Sequence, residues 1–205
     1  MEKIKYYIVT ADVVNSRKYF DPAILLQTIK AVLNVQVQDY NYDIYRGDEI
    51  QARVHSLELA FELIIALKAS IRALDKRLNI RAAIGVGEES YRADTVSESS
   101  GPAYYRSGAL LNELKKKNQS IMISTEDNEI KAQINLIFKL LTRVIDQWTP
   151  SEAEAVSARL SYPDKTQTEL GEMLGIKQNT MSNRMKRSQY ELISEVSSYI
   201  KTLEL

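Results

Sequence analysis

The stretch Gln167–Gln189, QTELGEMLGIKQNTMSNRMKRSQ, constrains this chain more than any other. Leu170 and Leu174 mark the buried side of one short helix. Gly175 follows where the chain must turn, and glycine tolerates the positive φ that such a turn needs. Ile176 returns to the core, and a second helix begins at Gln178 with Met181 and Met185 on its inner side. Two short helices hinged on a glycine turn read as a helix-turn-helix. The outer side of the second helix offers Gln178, Asn179, Thr180, Ser182, Asn183, Arg184, Lys186 and Arg187. These residue types hydrogen-bond base edges or neutralise phosphates. Between Ile176 and Gln189 there are four basic residues and no acidic one. Over the whole chain Lys+Arg and Asp+Glu are both 27, so there is no general attraction for nucleic acid and the charge here is local.

The expectation from this segment is a regulator that binds duplex DNA. Gln178, Asn179, Thr180 and Asn183 are the candidate base readers, and Lys177, Arg184, Lys186 and Arg187 the candidate phosphate contacts. One small module binds weakly. Two held about 34 Å apart in a homodimer gain affinity and palindromic specificity.

A chain of 205 residues makes one large domain or two small ones. With 44% hydrophobic residues it can bury a core, and the absence of cysteine excludes disulfides and thiolate metal sites. The opening MEKIKYYIVTADVV is too short and polar for a signal peptide, and no apolar run approaches membrane-spanning length. A cytoplasmic protein without membrane contact is expected.

The first half alternates strands and helices. Ile4–Val14 reads as a strand, and Asp21-Pro22 starts a helix to about Leu33. Tyr40–Tyr45 and Glu49–Val54 read as strands flanking the hairpin signal Arg46-Gly47-Asp48. Leu57–Leu78 has helical spacing, Ile80–Val86 is a strand, Ala103–Lys117 a helix and Ser120–Ser124 a short strand. The order β-α-β-β-α-β-α-β predicts an α+β fold with a ferredoxin-like or palm sheet over residues 1–125. A connecting helix, Glu126–Gln147, falls in a segment 126–148. Residues 149–205 form an all-α unit. It opens on a capping box at Thr149-Pro150-Ser151-Glu152, is broken at Tyr162-Pro163-Asp164, carries the helix-turn-helix and closes with a helix over Ser188–Leu203.

Two carboxylates in the first half belong together. Asp12 ends the first strand in TADVVNSR, and Asp48 sits at the hairpin tip in YRGDEI. Placed side by side they repel unless a cation lies between them, and Mg²⁺ with bound phosphates is the usual solution. Gly47 lets the hairpin backbone approach a ligand. Asn15 and Ser16 face phosphate oxygens, and Arg17 or Arg46 adds charge.

The order and spacing of ADVVNS, RGDEI and RAAIGVGE resemble the palm of class III nucleotidyl cyclases, and RGDEI is similar to the hairpin of GGDEF diguanylate cyclases. The resemblance covers the first three-fifths of the chain. It implies that Asp12 and Asp48 hold the metal ions and that Asn15, Ser16, Arg17, Arg46 and Gly47 meet a nucleotide. The chain departs from the cyclases further on. Tyr105 stands where their asparagine is expected and Ala109 where their arginine is expected, with Arg106 elsewhere on that helix. A nucleotide and Mg²⁺ sensor is therefore favoured over turnover. The alternative is an active cyclase-like enzyme that the helical part regulates. A cyclase-like unit joined to a C-terminal helix-turn-helix also resembles the bacterial SatD-like family over the whole chain, and this implies a DNA-linked regulatory role.

The remaining motifs carry less. Gly85 and Gly87 in a strand mark close helix–sheet packing or a bulge. His55, the single histidine, reads as a solvent-facing strand end, so Ser97, Ser99 and Ser100 have no triad partner. Lys115–Lys117 reads as a solvated helix end, and Tyr104 and Tyr105 as half-buried residues of the sheet layer.

Overall fold

The computed structural model describes residues 5–37, 41–117 and 119–203. Five strands form one mixed sheet: β1 (Tyr6–Val14), β2 (Tyr42–Tyr45), β3 (Glu49–Val54), β4 (Asn79–Gly87) and β5 (Ile121–Ser124). Their order is β2-β3-β1-β4-β5, antiparallel throughout except for the parallel pair β4–β5. Eight α-helices follow the same chain order: α1 (Pro22–Gln36), α2 (Leu57–Leu74), α3 (Pro102–Leu114), α4 (Asn128–Ile145), α5 (Pro150–Ser161), α6 (Gln167–Met173), α7 (Gln178–Arg187) and α8 (Tyr190–Lys201). The fold is α+β. Among the described residues no helix is long and apolar enough to cross a membrane.

The period-2 alternation of β1 decides which layer goes where. Tyr7, Val9, Ala11 and Val13 join the main core with α1 and α2. Ile8 packs with Ala103 and Tyr104 of α3, and the Thr10 hydroxyl donates to Ser107 Oγ at 2.8 Å, so α3 covers the other face. Gly85 permits this approach. A Cβ there would sit 2.0 Å from the Ala103 carbonyl oxygen. The close packing expected of the GVG strand is therefore real at Gly85.

Helix α2 begins at Ser56, whose hydroxyl accepts the Leu59 N–H. Buried residues occupy 12 of its 18 positions, so it has little solvent face. The sheet lies on one side of it, and the same core continues through Phe138 of α4, Ala153 and Val156 of α5 and Ile193 of α8. Phe61 and Phe138 stack with ring centroids 5.7 Å apart. A smaller cluster of Ala155, Leu170, Met181 and Met185 unites α5, α6 and α7, and Tyr190 touches both clusters.

A polar network is sealed into this junction. The Lys68 ammonium, fully buried on α2, pairs with the Asp146 carboxylate and donates to Asn79 Oδ1 at 2.6 Å. Ser120 also donates to Asp146, and Arg72 donates to the Asp146 carbonyl at 3.1 Å. Burial lowers the Lys68 pKa, and the Asp146 charge opposes that shift.

Element ends differ from expectation where a side chain caps early. Asp127 accepts the N–H groups of Glu129 and Ile130, so α4 starts at Asn128 rather than Glu126. The expected helix over 57–78 stops at Leu74, and Asp75 folds onto Arg77 before Leu78 re-enters the core. Gln189 is left-handed at φ 55, so α8 starts at Tyr190 rather than at the expected Ser188. The Thr149 capping box is present with both of its hydrogen bonds. The expected strand residues Ile4 and Tyr40 lie outside the described residues.

Candidate functional site

Two regions bring the sequence-derived candidates together. The first is at the end of the sheet where β1 finishes. Asp12 lies inside β1, opposite Glu49 of β3 on one side and Arg81 of β4 on the other. The adjoining hairpin turns through Tyr45-Arg46-Gly47-Asp48, closed by the Asp48 N–H donating to the Tyr45 carbonyl. Arg46 and Gly47 have φ of 50° and 82°. Glycine suits this conformation, but arginine is strained there by roughly 1 kcal/mol. The Val13 N–H donates to the Asp48 carbonyl at 3.1 Å, which binds the hairpin to the end of β1.

A cavity of about 460 Å³ opens at this corner. Asp12, Asn15, Ser16, Arg17, Arg46 and Asp48 line it, together with Val13, Lys18, Glu49 and Lys115. Six of the seven expected metal and nucleotide residues thus share one pocket. Gly47 shapes the turn without lining it. The Ser16 hydroxyl donates to Asp48 Oδ2 at 2.5 Å, and Asn15, left-handed at φ 64, donates from its amide to the Arg77 carbonyl at 2.8 Å.

The Asp12 carboxylate is largely buried, more so than that of Glu49. Its Oδ2 lies 3.3 Å from Arg81 Nη2 and 4.0 Å from Lys115 Nζ, whereas Oδ1 is buried without a hydrogen-bond partner. Burial raises the Asp12 pKa, an effect that Arg81 and Lys115 reduce without reversing. Lys115 Nζ is also 3.7 Å from Glu49 Oε1. Three carboxylates and four cations line the pocket, and Arg81 reaches Asp12 from β4. Such a lining favours an anionic ligand that also accepts hydrogen bonds.

Lys18, Glu49, Arg81 and Lys115 were missed by sequence reasoning. Glu49 and Lys18 adjoin expected residues, and the register of β1 on β4 places Arg81. Lys115 had no local signal. It reads as a helix-end lysine, and only the packing of α3 on the sheet brings it to Asp12. The helix positions compared with the cyclase pair do not reach the pocket. Tyr105 and Ala109 are exposed on α3. Arg106 donates to the Val86 carbonyl at 2.6 Å and pairs with Glu126, at the opposite end of β4 from Arg81. Tyr104 is buried and donates to Glu89 Oε1 at 2.5 Å; burial and that carboxylate push its phenol up to about 12. Arg53 pairs with the same Glu89, a tie that holds the segment after β4.

The second region is the outer side of α7. Helix α6 starts at a capping box, Thr166 with Glu169, and Gly175 at φ 64 turns the chain. Met181 and Met185 face inward. Lys177, Gln178, Asn179, Thr180, Asn183, Lys186 and Arg187 are all exposed. Among the described residues, the Lys177, Lys186 and Arg187 side chains have no ion pair, and Gln178 has only a long contact to Gln167 at 3.3 Å. Arg184 differs from its neighbours: its Nη1 pairs with Glu154 Oε2 of α5 at 2.7 Å.

The family model described as the SatD family matches residues 6–202, and the chain belongs to that family. A search of curated proteins returns no match.

Proposed function

We propose that this SatD-family protein is a DNA-binding transcriptional regulator whose sheet-end pocket senses a phosphorylated ligand, of which a nucleotide is the leading case. The reading treats α6 and α7 as a helix-turn-helix with α7 as its recognition helix, and the β1–β4 layer as a palm. The observation that carries it is the outer side of α7, where a run of amide, hydroxyl and cationic side chains is exposed and largely unpaired. A surface of that composition enters a major groove with few internal contacts to give up.

Two copies are required for useful affinity. The exposed Leu136 and Leu140 of α4, or Leu192 and Tyr199 of α8, offer apolar stripes for a second copy. The pocket would then act on DNA binding through the shared core around α2. Turnover is not proposed, because Tyr105, Arg106 and Ala109 lie away from Asp12 and Asp48.

The test is binding to labelled random-sequence duplex DNA across a salt series. Phosphate contacts release counterions, so log K should fall linearly with log salt with a slope of about −0.9 for each contact. Lys186→Ala and Arg187→Ala should each make the slope shallower by about one. Binding absent even at low salt would refute the reading.

A further inference from the structure

The expectation of Mg²⁺ between Asp12 and Asp48 does not fit the side chains at the corner. The Lys115 ammonium already stands between two carboxylates, 3.7 Å from Glu49 Oε1 and 4.0 Å from Asp12 Oδ2. Arg81 Nη2 approaches the same Asp12 oxygen at 3.3 Å. A Mg²⁺ ion binds carboxylate oxygens at about 2.0–2.1 Å, and its two charges would face an ammonium and a guanidinium within a few ångströms. Asp48, the other expected ligand, is engaged by the Ser16 hydroxyl at 2.5 Å.

We propose that Lys115 and Arg81 supply the positive charge that a divalent ion was expected to bring, so that the pocket binds a polyphosphate chain without metal. This rests on the reading of the pocket as a site for a phosphorylated ligand. The carboxylates of Asp12 and Glu49 hold Lys115 in place, and the cations left at the mouth meet the ligand. Arg17, Lys18 and Arg46 come from two separate turns and line the same cavity. Arg46 adopts its left-handed conformation at φ 50 at a cost that a glycine or asparagine would not bear, which fits a guanidinium kept there for a ligand. Arginine and lysine donors match phosphate oxygens directly. Lys115 is therefore the residue that selects the metal-free form of the ligand, because Mg²⁺ on the phosphates would be repelled by it.

The experiment is calorimetric titration of the full chain with ATP, GTP and inorganic tripolyphosphate, once in EDTA and once in excess Mg²⁺. The proposal expects at least one of the three to bind in EDTA and to bind more weakly in Mg²⁺. In Lys115→Gln, binding in EDTA should fall about tenfold, the loss of one charge-assisted contact, and Mg²⁺ should now restore part of it. Lys115 lies beyond the end of α3 and is partly exposed, so the variant keeps its fold, which circular dichroism would verify. Binding by the wild-type chain only in Mg²⁺, or unchanged binding by Lys115→Gln, would overturn the proposal while leaving the pocket a phosphate-ligand site. No binding of any probe in either buffer would remove the pocket reading itself.

Discussion

The indole Nε1–H of Trp148 donates to the backbone carbonyl of Ser188 across 2.9 Å, with both residues buried. Trp148 follows α4, which packs against the sheet layer, and Ser188 caps the C-terminus of α7. This hydrogen bond therefore adds a polar tie to the apolar cluster that seats α7 near the layer that carries the pocket. Trp148→Phe keeps most of the apolar volume but leaves a buried carbonyl without its donor. It should cost about 1–2 kcal/mol, read as a lower urea midpoint by circular dichroism. An unchanged midpoint would mean that the bond does not hold α7.

The Lys68–Asp146 pair ties α2 to the end of α4. Lys68 is fully buried and Asp146 partly so, and removing the lysine leaves the carboxylate without its cation. Lys68→Met should therefore destabilise the protein by about 3 kcal/mol, a fall in Tm of roughly 6–12 °C. Adding Asp146→Asn should recover part of the loss, because the stranded charge is then gone. A double variant no more stable than the single one would show that the network acts through its hydrogen bonds rather than its charge.

Asp12 makes a pH-dependent prediction. Its folded-state pKa is raised by burial, so the folded protein holds that proton more tightly than the unfolded chain. Ionising it costs stability, and the cost grows as pH rises from below the ordinary carboxylate range through the folded-state value. Asp12→Asn should thus raise Tm near neutral pH. The gap should close as pH falls below 3.8, the ordinary aspartate value, where the carboxyl is neutral in both states. A variant less stable than the parent at neutral pH would show that Arg81 and Lys115 outweigh burial.

The Arg184–Glu154 pair limits the charge that α7 can offer. Glu154→Gln frees the guanidinium. Duplex-DNA affinity should rise severalfold at low salt, with a salt slope steeper by about 0.9. Arg184→Ala should cost less affinity than Lys186→Ala or Arg187→Ala, whose side chains are already free. Equal effects from all three would mean that the pair breaks in the complex without penalty.

What was legible in the sequence was local. Gly175, the Thr149 capping box and Arg46-Gly47 each name a backbone conformation within a few residues, and each is present as expected. The residues that went unread depend on contacts distant in the chain. Lys115 is an ordinary helix-end lysine until α3 is laid across the sheet. Lys68 reads as a polar interruption in an apolar helix until the end of α4 brings Asp146 to it. The left-handed break at Gln189 lacks the glycine or asparagine that usually marks one, so the last helix was expected from Ser188 rather than Tyr190.

The most direct test of the central claim is selection of bound duplexes from a random-sequence pool by the full-length protein. The account predicts enrichment of a palindrome whose half-sites lie about one helical turn apart. It also predicts that Asn183→Ala relaxes preference at one position of each half-site while leaving the spacing unchanged. Enrichment of no sequence, or the same motif at undiminished preference from variants in which Gln178, Asn179, Thr180 and Asn183 are all alanine, would contradict the claim that α7 reads DNA.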